Sequence, residues 1–128
     1  MKFKVKFFEE RFVEAIGAGV YSISLSKGNK EELLYIGESV FVLVRCATHL
    51  YEIAKGTGYL GFSKEYIEDD SVTIIFRLLE EESSKQGRIT HENEYIKRMN
   101  PIMQTGIKDR VKPVEDMINE MTILLNNN

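Results

Sequence analysis

Apolar and polar positions along this chain switch between two periods, and the switches mark its elements. Residues 2–7 alternate basic and apolar, which predicts a short half-buried strand on a sheet edge. Residues 9–16 take helical spacing, with Phe8, Phe12 and Ala15 or Ile16 on one face, until Gly17-Ala18-Gly19 breaks it. From 19 to 26, Tyr21, Ile23 and Leu25 alternate with Val20, Ser22 and Ser24, the period of a strand. Lys27-Gly28-Asn29-Lys30 is a turn, and residues 31–37 return as a second strand. Antiparallel pairing of these two brings Tyr21 and Tyr35 to the same end of the sheet.

Ser39 is the expected N-cap of a helix over 40–55. Its apolar stripe is Leu43, Cys46, Ala47, Leu50, Ile53 and Ala54, with Arg45 and His49 on the opposite face. Gly56-Thr57-Gly58 stops it. Residues 59–71 are irregular and hold the acidic run Glu68-Asp69-Asp70, as an insertion or long loop would. Residues 72–79 form the most apolar run and predict a buried strand. A helix over 88–99 follows, with Ile89, Ile96 and Met99 on one side, and Pro101 ends it. Past Pro113, residues Val114, Met117, Ile118, Met121, Leu124 and Leu125 predict an amphipathic helix over about 112–126.

A chain of 128 residues is one domain, 1–128, with its core at about 17–104. The single cysteine, Cys46, excludes an internal disulfide, so a reducing cytoplasm is the expected compartment, and Cys46 is expected to be a buried structural thiol. No apolar run reaches the roughly 20 residues that span a bilayer, and no membrane association is expected. The net charge of −3 advertises no polyanion partner, yet a local basic cleft can sit on an acidic body.

The chemistry concentrates on a few residues. Glu92 falls three residues after Ile89 and four before Ile96, inside the apolar stripe of its helix. A carboxylate there needs a partner, because a buried charge is costly. It is either a core-rim carboxylate paired with an arginine or a metal ligand facing a cleft. Arg45 and His49 stand one turn apart, as on any solvated face, but they follow a strand-to-helix turn beside two tyrosines. Arginine offers phosphate a bidentate fork, and histidine moves protons near neutral pH. Tyr21 and Tyr35 either cap strand ends or orient water and phosphate. A metal or Arg45 would have to depress one of their pKa values for it to act as base. His91 has no second histidine at ligand spacing and is assigned to the surface.

Gly19-Val20-Tyr21, Tyr35-Ile36-Gly37, Arg45 eight residues after Gly37, His49 four further on, and Glu92 nine before Pro101 stand in one order. Together they resemble the GIY-YIG nuclease family over about 19–104. The resemblance implies an α/β (α+β) domain with a three-stranded antiparallel sheet flanked by helices. It implies hydrolysis of DNA phosphodiester bonds with one Mg2+ or Mn2+ ion held by Glu92. Tyr21, Tyr35, Arg45, His49 and Glu92 would surround the scissile phosphate. Gly37, Ser39 and Gln104 would contact substrate, Gly37 by allowing close approach of DNA. The chain departs from the family pattern where a lysine often follows the second glycine, since Glu38 and Val40 stand there. Gln104 replaces a frequent asparagine. A catalytically degenerate module binding nucleic acid or protein is the alternative. No zinc-ligand cluster or long basic arm reads base sequence, so specificity is expected from the 59–71 insertion, from the C-terminal helix, or from a homodimer or partner protein.

Overall fold

A glycine-first hairpin frames the sheet. In a computed structural model that describes residues 2–104, β2 (Gly19–Lys27) and β3 (Lys30–Ser39) are joined by Gly28-Asn29. Gly28 has a φ of +63°, which suits the first central position of a two-residue hairpin loop. The antiparallel register runs from Lys27 opposite Lys30 to Gly19 opposite Ser39, with a bulge between Ile23 and Ser24. It sets Tyr21 opposite Gly37 and Ile23 opposite Tyr35.

The remaining elements are β1 (Lys4–Phe7), α1 (Phe12–Ala15), α2 (Val42–Ala54), a 3₁₀ turn at Tyr59–Gly61, α3 (Lys64–Ile67), β4 (Val72–Glu81) and α4 (Lys85–Met99). The strand order is β1-β4-β2-β3. The fold is mixed α/β as expected, but the sheet has four strands and is not purely antiparallel. β4 runs antiparallel to β2 and parallel to β1, with Lys4 opposite Thr73 and Phe7 opposite Phe76. The alternation in residues 2–7 did indicate a half-buried edge strand, but nothing local names a partner at the far end of the sequence. β4, the most apolar strand, is paired on both sides.

One sheet face carries Tyr21, Ile23, Tyr35, Ile74, Phe76 and Leu78 into the main core, where α2 contributes Val42, Cys46 and Ile53. Residues 59–71, expected as irregular, contribute Leu60, Phe62 and Ile67 to the same core. Val20, Ser22, Ile36 and Glu38 alternate onto the other face, where Arg88 of α4 reaches Glu38. α1 is shorter than its pattern suggested. Ala15 is buried, while Phe12 and Ile16 are more than half exposed, so the expected shared face does not form.

After α4, Asn100 takes a left-handed conformation and the chain turns back along β3. Ile102 and Met103 donate to the carbonyls of Leu33 and Leu34, covering the outer edge of the hairpin. Among the described residues no helix is long and apolar enough to cross a membrane. The helix expected over 112–126 lies outside the described residues.

Candidate active site

Tyr21 is the centre of the site. It stands on β2 beside a bulge that β2 makes against β4 between Val20 and Tyr21, and its side chain is 1% exposed. Its hydroxyl lies 2.7 Å from Nε2 of His49. Nδ1 of His49 lies 2.7 Å from the hydroxyl of Tyr59. The Tyr35 ring packs beside both, 5.4 Å from His49 and 6.3 Å from Tyr21 between centroids. Buried polar atoms have to be satisfied, and here both imidazole nitrogens are.

The helix spacing explains the convergence and corrects an expectation. His49 lies three residues after Cys46 and four before Ile53, on the face that packs against the core, not on the opposite one. Arg45, one turn earlier, is equally buried. Counting Arg and His as polar had shifted the apparent stripe toward Leu43, Ala47 and Leu50, which are only partly covered.

Burial governs the acidities. It holds the Tyr21 phenol well above its ordinary range, with Cys46 and Tyr35 adding to the rise and Arg45 only offsetting it. Arg45 therefore does not by itself meet the condition for Tyr21 to act as a free base. Burial also pushes the Cys46 thiol up, with Arg45 again opposing, as befits a structural cysteine.

Three residues expected to contact substrate have structural partners. A β-carbon on Gly37 would overlap the Tyr21 hydroxyl and come within 2.9 Å of Tyr35, so the room left by this glycine is filled by the tyrosine. Ser39 is not the N-cap of α2. The cap is Phe41, whose amide donates to Ser39 Oγ at 3.0 Å. The Gln104 amide acts like one more strand residue, accepting from Ile36 N at 2.9 Å and donating to Ile36 O at 2.8 Å.

Glu92 lies on α4 and is 4% exposed. One turn before it, Arg88 donates from Nε to Glu38 Oε2 at 2.8 Å and from its fork to the Ser83 carbonyl at 2.7 Å. Glu38 is thus paired with an arginine from α4. Both helices meet β3 near its end, α2 following it in the chain and α4 through this ion pair.

No family model, curated protein or solved structure matches this chain. The site therefore stands on its geometry.

Glu92, the metal ligand that the resemblance implies, is buried on α4. A different cluster could also hold a metal ion. Glu80, Glu82 and His91 offer ligand atoms that all lie within 4.8 Å of one another. Glu82 accepts from the Ser84 amide and hydroxyl, which lowers its pKa, and its other oxygen is 3.9 Å from His91 Nε2. His91, assigned to the surface from its sequence, is about a third exposed and lies beside both carboxylates. Sequence reasoning missed Tyr59 and Arg88. Arg88 stands four residues before Glu92 on the same stripe, a signal that was available. Tyr59 follows the helix-stopping glycines at no periodic spacing and gave none.

Proposed function

We propose that this chain is a divalent-metal-dependent DNA endonuclease in which Tyr21 and His49 take the proton of the attacking water. The observation that supports the reading is the buried 2.7 Å contact between the Tyr21 hydroxyl and His49 Nε2, with Arg45 one helical turn away. A phenol held above its ordinary range is a poor free base. It can still pass a proton on as it receives one.

Water gives its proton to the Tyr21 oxygen while the Tyr21 proton moves to Nε2 of His49, leaving an imidazolium. The water oxygen bonds to phosphorus, the bond from phosphorus to the leaving sugar oxygen breaks, and that oxygen takes a proton from solvent. Arg45 offers its fork to the phosphate as charge develops, and Tyr35 orients the phosphate or water. Glu92 would hold one Mg2+ or Mn2+, which when bound supplies charge neutralisation at the phosphate and a more acidic water. DNA is the proposed partner, and a second copy or another protein would supply specificity.

A specific observation favours the second reading, a non-catalytic binding module. Tyr21, Tyr35 and His49 are each no more than 1% exposed, so substrate has to open the corner between β3 and α2. Incubation with supercoiled plasmid separates the two. Cleavage is expected with Mg2+ or Mn2+ and not with a chelator, and Glu92→Gln should abolish it while DNA binding stays nearly intact. Binding without cleavage under every metal condition would favour the second reading. Wild-type cutting by Glu92→Gln would overturn the metal assignment.

A further inference from the structure

We infer that Tyr59 is the positioning residue of this site: it fixes the tautomer of His49 and gives the proton a way out to solvent. Its catalytic consequence rests on the nuclease reading, but the tautomer does not.

The direction of the hydrogen bonds follows from burial. The Tyr21 proton is buried and must be accepted, and His49 Nε2 lies 2.7 Å away. Nε2 is then the acceptor, and a neutral imidazole carries its proton on the other nitrogen. Nδ1–H faces the Tyr59 oxygen at 2.7 Å, so His49 donates there. The reverse order would leave a buried Tyr21 proton facing an N–H. Tyr59 is only half-buried, whereas Tyr21 and His49 are fully covered, so it is the member of this relay nearest solvent.

The loop that presents Tyr59 is built for this placement. Gly58 donates to the Phe62 carbonyl, Gly61 donates to the Gly58 carbonyl, and Thr57 bridges Ser63, closing a tight loop on the end of α2. Leu60 and Phe62, on either side of Gly61, are buried in the core. Leu60 holds a φ of +54°, which a branched side chain adopts only when its surroundings impose it. During turnover, the His49 imidazolium releases its Nδ1 proton to the Tyr59 oxygen as Tyr59 releases its own to water, which returns a neutral ring and a neutral phenol. The ring then re-forms its starting tautomer as Nδ1 regains a proton from water through Tyr59 and Nε2 passes its own to Tyr21, whose proton returns to solvent with the product.

The chain has two histidines, so imidazole nitrogen shifts in 15N-histidine-labelled protein are read directly, with His91→Gln assigning the pair. His49 is expected as the Nδ1–H tautomer in the wild-type chain. Tyr59→Phe keeps the ring and should shift His49 toward a mixture of tautomers, with plasmid cleavage slower by at least about tenfold. A wild-type His49 protonated on Nε2, or on both nitrogens, would overturn the inference, even if Tyr59→Phe failed to fold. So would a folded Tyr59→Phe with an unchanged Nδ1–H signal. If the tautomer responds as expected and the wild-type chain never cuts DNA, the positioning role stands and the nuclease reading falls.

Discussion

At the scale of single residues, the site is a set of titratable groups carried into the core. Tyr21 makes the sharpest test, because burial raises its pKa above the ordinary value of about 10. Below that pH both folded and unfolded chains keep the proton, so the phenol adds no pH dependence. Above it the unfolded chain loses the proton more readily than the native one, and stability falls as pH rises. Tyr21→Phe should flatten that alkaline decline in urea melts. At neutral pH the same change should cost about 1–3 kcal/mol, because Nε2 of His49 is left without its donor. Cleavage should drop by about 10²–10⁴-fold if Tyr21 relays the proton. An unchanged alkaline limb would mean that Tyr21 ionises as freely in the native state as in the unfolded chain. Tyr21, Tyr35, Arg45, His49 and Glu92 were all legible in the sequence as candidates, through order and spacing. Their surroundings were not. Tyr59 comes from a loop, and no pattern in a loop states which side chain it will present.

At the scale of elements, β3 is held from both sides by unlike means. On one face Gly37 gives its space to the Tyr21 ring and hydroxyl. On the other the Glu38–Arg88 ion pair, both side chains under a tenth exposed, ties β3 to α4. Breaking such a pair from one side leaves an uncompensated buried charge. Arg88→Met should therefore destabilise the chain by about 3–5 kcal/mol. Removing both charges, with Glu38→Leu added, should recover much of that loss, because the desolvation cost then disappears. Chemical melts of the two single variants and the double variant measure the coupling. A double variant as unstable as the sum of the singles would show that the pair is not coupled. The error in the α2 stripe belongs to this scale too. A helix that buries an arginine and a histidine with its apolar residues hides its true face from a hydrophobic count.

At the scale of the molecule, the chain is acidic overall, and any hold on DNA has to come from local phosphate contacts. On the proposed nuclease reading, a monomer should show slow nicking of weak sequence preference whose rate falls steeply with added salt, as phosphate contacts release counterions. Sedimentation with a cleavage-site map checks this, and a monomer cutting at one defined palindrome would reveal a reading element not identified above. The sequence by itself determined the elements whose pattern is local: the Gly28 hairpin, the apolar strand 72–79, the helix through Glu92, and the pairing that sets Tyr21 near Tyr35. Tertiary structure alone decided that β1 joins β4 in parallel, that α2 turns Arg45 and His49 inward, and that Tyr59 meets His49. Those contacts join segments far apart in the sequence or reached through a loop. Their energy depends on which buried groups find partners, and that is fixed only when the whole chain closes around them.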